Sequence, residues 1–130
     1  MDDTCIFCSI DRETLAENEL AFAILDRFPA ATGHSLVIPR RHVLTMDELT
    51  GEEALALFAL IRQVKTLLRE RFGPDGFNIG INEGEAAGQT VMHLHIHIIP
   101  RTRGDVENPR GGIRKVLPCR RRYRHGEGPA

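Results

Sequence analysis

Between Val91 and Arg101, histidine and aliphatic residues alternate: Val91-Met92-His93-Leu94-His95-Ile96-His97-Ile98-Ile99-Pro100-Arg101. Residues two apart on a β-strand share a face and lie about 6.6 Å from each other. The period therefore predicts a strand with His93, His95 and His97 on one face. Leu94, Ile96 and Ile98 then face a core. A helix would scatter the same histidines around its circumference. Pro100 cannot donate a ladder hydrogen bond and is expected to mark the strand's end. Half of the chain's six histidines fall within five residues, and neighbouring imidazoles repel one another on acidification. An ordinary solvated strand face is therefore a poor account of them. Two chemical readings remain: convergence on a metal such as zinc, or nucleophilic catalysis by one imidazole whose neighbours handle charge.

The chain of 130 residues is expected to form one domain with a real core. Its formal net charge of −1 argues against obligate binding to nucleic acid or membrane. The N-terminus, Met1-Asp2-Asp3, has no basic region or apolar signal core, and no apolar run reaches the ~20 residues of a membrane span. A soluble cytoplasmic protein is the expectation. Three cysteines are too few for a disulfide framework. Cys5-Ile6-Phe7-Cys8 could be a redox pair, half of a zinc site or two incidental thiols. Ile6, Phe7 and Ile10 share one face of a short helix by their i, i+4 spacing.

Further along, residues 19–26 read as a strand that ends in Asp26, and 34–38 as a second strand opened by Gly33-His34. Thr50-Gly51-Glu52-Glu53 is a capping box. It starts a helix over 51–72 with Leu57, Leu60, Ile61, Val64, Leu67 and Leu68 along one stripe, and Gly73-Pro74 stops it. Residues 76–82 read as a strand. The loop from Asn82-Glu83-Gly84 to Gly88-Gln89 is short, which favours antiparallel pairing with the histidine strand. Glycine at 84 and 88 lets backbone approach a ligand. The fold class is α+β: a mainly antiparallel sheet, one long helix and a short N-terminal helix. The basic run Arg120-Arg121-Arg122-Tyr123-Arg124 is expected to be a solvated tail at 119–130, following a single domain at 1–118.

The His-x-His-x-His stretch is preceded by Gly88-Gln89 and followed by Pro100-Arg101. Together with Gly33-His34-Ser35-Leu36-Val37-Ile38-Pro39 and Asn82-Glu83-Gly84, it resembles the histidine triad family of nucleotide hydrolases and transferases. The likeness spans residues 5–118. It implies that His95 is a nucleophile attacking the α-phosphorus of a purine nucleotide conjugate, giving a nucleotidyl-histidine that water cleaves. The other ring nitrogen of His95 would donate to a backbone carbonyl, that of His93. His97 and His34 would hydrogen-bond the phosphate oxygens. Gln89, Thr90, Asn82 and the Gly88 amide would hold the phosphate. Asp26 would accept the ribose hydroxyls. Ile6, Phe7, Ile10 and Ile24 would wall the purine pocket.

The family also implies a structural zinc on Cys5, Cys8, His42 and His93, no catalytic metal, and a homodimer with joined sheets. Dinucleoside polyphosphates and nucleoside phosphoramidates are the substrate classes implied. A non-catalytic nucleotide-binding adaptor and a zinc-dependent hydrolase are the alternatives.

Overall fold

The computed structural model describes residues 4–118. The basic run at 120–124 lies outside them. The elements are β1 (Ala16–Glu17), β2 (Ala21–Leu25), β3 (Ser35–Pro39), α1 (Gly51–Phe72), β4 (Gly76–Ile81) and β5 (Ile96–Arg101). Short 3-10 turns occupy Met46–Glu48, Glu85–Ala87 and Gly112–Val116. The strands form one sheet in the order β1-β2-β3-β5-β4, with every neighbouring pair antiparallel. The 82–90 link does join an antiparallel pair, β4 and β5.

Alternation along each strand divides the molecule into two cores. Ala21, Ala23, Val37, Ile96 and Ile98 face α1 and pack against Leu57, Leu60, Val64 and Leu68. Phe22, Ile24, Leu36 and Ile38 face the other way and are covered by Phe7, with Cys5, Ile10 and Val91 alongside. The helix thus carries one face of the sheet, and the N-terminal segment covers the other.

The helix has the bounds read from its capping signals. The Thr50 hydroxyl accepts from the Glu53 N–H at 3.1 Å, and the Thr50 N–H donates to the Glu53 carboxylate at 2.9 Å. Gly73 closes the helix in the left-handed region, at φ 58°. Glu53 also receives the Arg41 guanidinium in a two-pronged contact at 2.7 and 3.0 Å. This pairing, first of all, holds the Glu53 carboxyl down at about 2 against an ordinary 4.5. A carboxyl whose pKa is lower in the folded state stabilises fully above its unfolded pKa, and that contribution is lost as the pH falls toward the folded value. Glu53→Ala is therefore expected to cost about 1–2 kcal/mol at neutral pH. The gap to wild type should narrow between pH 4.5 and about 2, as measured by urea unfolding across that range.

Three expectations are corrected. The segment around Ile6, Phe7 and Ile10 is a series of turns, with the Cys8 N–H bonded to the Cys5 carbonyl at 3.2 Å, and no helix forms there. The histidine strand begins at Ile96 rather than before His93. Its ladder with β3 runs only from Val37↔Ile96 to Ser35↔Ile98. Pro39 has no N–H to extend it, and the Leu94 N–H turns instead to the Val43 carbonyl at 2.7 Å. Nor does Pro100 end the strand, which continues to Arg101. Beyond Ile98, β5 has β4 as its sole ladder partner among the described residues, an edge-like position that tolerates a missing donor.

Candidate functional site

The bend at Val91–His93 sends the three alternating histidines to different tasks. His93 is fully buried and turns toward the N-terminal cysteines. His95 and His97 line a cavity of about 580 Å³, within the range of small-molecule sites. The Nδ1 of His95 lies 2.8 Å from the His93 carbonyl oxygen. A carbonyl only accepts, so Nδ1 carries the proton and Nε2 keeps its lone pair. The Phe7 ring stands edge-on to His95 at 5.2 Å, and the His97 ring is 5.0 Å from that of His95, centroid to centroid.

The tautomer of His97 is set from behind. The Ala30 backbone N–H donates to His34 Nδ1 at 2.9 Å. This leaves the His34 proton on Nε2, which faces His97 Nδ1 at 2.9 Å and Asp26 Oδ2 at 3.4 Å. His97 accepts at Nδ1, so its own proton sits on Nε2. Burial pushes the pKa of both His34 and His97 below the usual histidine value, which keeps the pair neutral at neutral pH.

Asp26 lies one residue past β2 and on the cavity. Its N–H bonds to the His34 carbonyl at 2.8 Å, closing the β2–β3 connection, and its Oδ1 accepts from the Phe28 N–H at 3.0 Å. Ile6, Phe7, Ile10 and Thr90 also line the cavity. Ile24 does not: it is fully buried. Leu36, its cross-strand partner and also the partner of His97, takes the place on the wall. Arg12, Arg27, Phe28 and Val91 are also on the lining. Alternation puts Leu36 on the face of His34 and Ile38, but does not mark it as a cavity residue.

His34, Gln89, Asn82 and Gly88 are absent from the cavity wall. Both ring nitrogens of His34 are engaged as described, and its surface is 6% exposed. Gln89 is 4% exposed. Its carbonyl accepts from the Gly84 N–H at 2.8 Å, and its amide donates to the Val91 carbonyl at 3.2 Å and the Leu44 carbonyl at 3.4 Å. That side chain pins the 84–91 loop, with no polar atom left for a phosphate. Gly88 caps the Glu85–Ala87 turn at φ 91°, and Asn82 sits half-buried at the exit of β4.

A second cluster lies beside the cavity. One ligand atom from each of Cys5, Cys8, His42 and His93 falls within 4.8 Å of the others. Cys5 Sγ is 3.3 Å from His93 Nδ1, and Cys8 Sγ is 3.1 Å from His42 Nδ1. A tetrahedral ion with bonds of about 2.0–2.3 Å separates its ligand atoms by roughly 3.3–3.8 Å; the Cys5–His93 spacing meets that range and the Cys8–His42 spacing is slightly tighter. His93 donates from Nε2 to the Pro39 carbonyl at 2.8 Å, which turns the lone pair of Nδ1 toward the thiols. This is how outer-shell hydrogen bonds orient metal-ligating histidines. The cluster is thus a possible metal site. Asp26, His34 and His97 form a second set of close donors.

An antiparallel five-stranded sheet backed by one helix, with histidines leading into a central strand, defines a class of α+β domains. A model of the HIT domain matches residues 8–104, and the chain belongs to that family. It is 39% identical over 103 residues to an adenosine 5′-monophosphoramidase of Schizosaccharomyces pombe, covering 75% of this chain and 74% of that one. It is 42% identical over 96 residues to a bis(5′-adenosyl)-triphosphatase of Dictyostelium discoideum, covering 74% and 64%. A zinc-bound histidine triad protein of Mycobacterium smegmatis superposes with a TM-score of 0.71 at 38% identity, covering 78% of both chains. Among the described residues no helix is long and apolar enough to cross a membrane.

Proposed function

We propose that the chain is a nucleotide hydrolase that cleaves purine nucleotide conjugates at the α-phosphate through a nucleotidyl-His95 intermediate. The observation that carries this reading is the 2.8 Å contact of His95 Nδ1 with the His93 carbonyl, which leaves the Nε2 lone pair as the nucleophile on the cavity. Nε2 attacks the α-phosphorus, and the bond to the leaving amine or phosphate breaks. Water then attacks the same phosphorus, releases the nucleoside monophosphate and returns the electron pair to His95. His97, donating from Nε2, stabilises charge on the phosphoryl oxygens as it grows. Thr90 flanks the same end. Asp26 offers acceptors to a ribose diol, and Ile6, Phe7, Ile10 and Leu36 supply an apolar wall for the base. The named activities of the two hydrolase relatives, on an adenosine phosphoramidate and a diadenosine triphosphate, support this substrate class.

Zinc on Cys5, Cys8, His42 and His93 belongs to the same proposal as a structural ion, with two thiolates and two imidazoles closing its tetrahedron. A catalytic metal on Asp26, His34 and His97 fits poorly. The Ala30 N–H takes the Nδ1 lone pair of His34, so Nε2 holds the proton and has no electron pair to give a metal. A homodimer is also proposed: β4 is an edge strand, and α1 exposes Leu55 and Phe58.

The test is hydrolysis of diadenosine tetraphosphate and of adenosine 5′-phosphoramidate, with and without chelator, and mass spectrometry of acid-quenched enzyme for a nucleotidyl adduct on His95. Cleavage of either substrate that survives chelation, with the adduct on His95, is the expected result. Failure to cleave both, with nucleotide still bound, would turn the reading to a nucleotide-binding protein.

A further inference from the structure

We propose that Asp11 and Arg12 read the purine base, and that the conjugates this chain prefers carry guanine rather than adenine. The inference rests on the nucleotide-hydrolase reading and narrows its substrate class. Both residues line the same cavity as His95 and His97, and the chemistry at the phosphate uses neither. Arg12 is half-buried and Asp11 exposed. Among the described residues neither side chain has a hydrogen bond or an ion pair, with the other or with any neighbour. A half-buried guanidinium without an acceptor is partly desolvated and unsatisfied, and a ligand that supplies acceptors relieves it.

Their place is the base end of the cavity. Arg12 also borders a second cleft, with Leu25 and Arg71, that holds neither His95 nor His97. It therefore marks the side away from the phosphate. Asp26 Oδ2 lies 3.4 Å from His34, which backs His97, so a ribose held there leaves the base to extend away from the histidines. Ile6 and Phe28 line the cavity with 62% and 85% of their surface exposed, apolar faces that a flat ring would cover. Along one side of guanine, N7, O6, N1–H and the 2-amino group run in the order acceptor, acceptor, donor, donor. A guanidinium has only donors and matches N7 and O6 in a two-pronged contact; a carboxylate has only acceptors and matches N1–H and the 2-amino group. Adjacent residues of these two types complement that whole edge. Adenine sets its 6-amino donor against the guanidinium and its N1 lone pair against the carboxylate, a mismatch at both.

Calorimetric titration of the full chain with GMP, IMP and AMP tests this, with Asp11→Asn and Arg12→Gln beside wild type. Wild type is expected to bind GMP at least about tenfold more tightly than AMP, with IMP, which lacks only the 2-amino group of GMP, between them. Asp11→Asn should close the gap between GMP and IMP, and Arg12→Gln should shrink the preference of both over AMP. AMP bound by wild type as tightly as GMP overturns the proposal without recourse to any variant. An unchanged GMP-to-AMP ratio in either variant overturns it as well. Binding of none of the three removes the nucleotide reading and this assignment with it. A GMP preference without cleavage of guanosine 5′-phosphoramidate would sink the hydrolase chemistry alone and leave the base assignment standing.

Discussion

His95→Ala is expected to lower turnover of either nucleotide conjugate by about four orders of magnitude while nucleoside monophosphate binding stays within a few-fold of wild type. The size follows from removing the atom that would form the proposed covalent intermediate, for which no neighbour can substitute. Losing one member of a nucleophilic constellation costs about as much as losing all of it, and a ten-thousand-fold loss corresponds to roughly 5 kcal/mol of barrier. His97 cannot take over as attacker, because its Nδ1 lone pair is directed at His34 2.9 Å away and its other nitrogen carries a proton. Binding survives because the cavity wall and Asp26 remain in place. Stopped-assay kinetics with a parallel calorimetric titration of AMP make the measurement. Residual turnover within tenfold of wild type would eliminate His95 as nucleophile.

Metal removal, by chelation or by Cys8→Ser, is expected to lower the unfolding temperature by roughly 10–15 °C and to weaken nucleotide binding more than it lowers kcat. An ion held at 100 to 1,000 times its Kd contributes about 3–4 kcal/mol to the folded state, and each kcal/mol is worth several degrees in a chain of this size. The binding effect has a local cause. Ile6 and Phe7, which line the cavity, sit between Cys5 and Cys8. With no helix to hold it, that segment would depend on the bound ion. The catalytic effect is smaller because the His95 Nδ1 contact is with the backbone of His93 and needs no metal. Calorimetry with and without chelator, together with thiol titration, reads the outcome. An unchanged transition with both thiols freely reactive would remove the ion from the account.

The sequence announced most clearly what is governed locally. The capping box at Thr50 and Glu53 and the stop at Gly73 are set by neighbours in the chain, so α1 could be bounded to the residue. Alternation likewise assigned Leu94, Ile96 and Ile98 to the interior, where all three are buried. What depends on partners distant in the chain was not legible. The two residues of β1 pair with β2 but carry no pattern of their own. Ile24 and Leu36 are both apolar and alternate with the same period, and only the register of β2, β3 and β5 decides which one meets the cavity. His34 and Gln89 belong to the right neighbourhood. Their polar atoms are claimed by the amides of Ala30 and Gly84 and by the carbonyls of Val91 and Leu44, contacts that residue type and spacing do not encode.

The division of the sheet into two cores also bears on how such a chain tolerates change in length. On β5, Ile96 and Ile98 belong to the helix side and His97 to the cavity side, so adjacent residues answer to opposite demands. Inserting or deleting one residue just before Ile96 would exchange those demands at a stroke. Imidazoles would enter a dry aliphatic layer, and isoleucines would meet the cavity. Substitutions along this strand can be graded in their effects, whereas a one-residue length change costs the core and the chemistry together. The 84–88 turn, with every residue exposed, is the nearest place where the chain can gain or lose length and leave both faces intact.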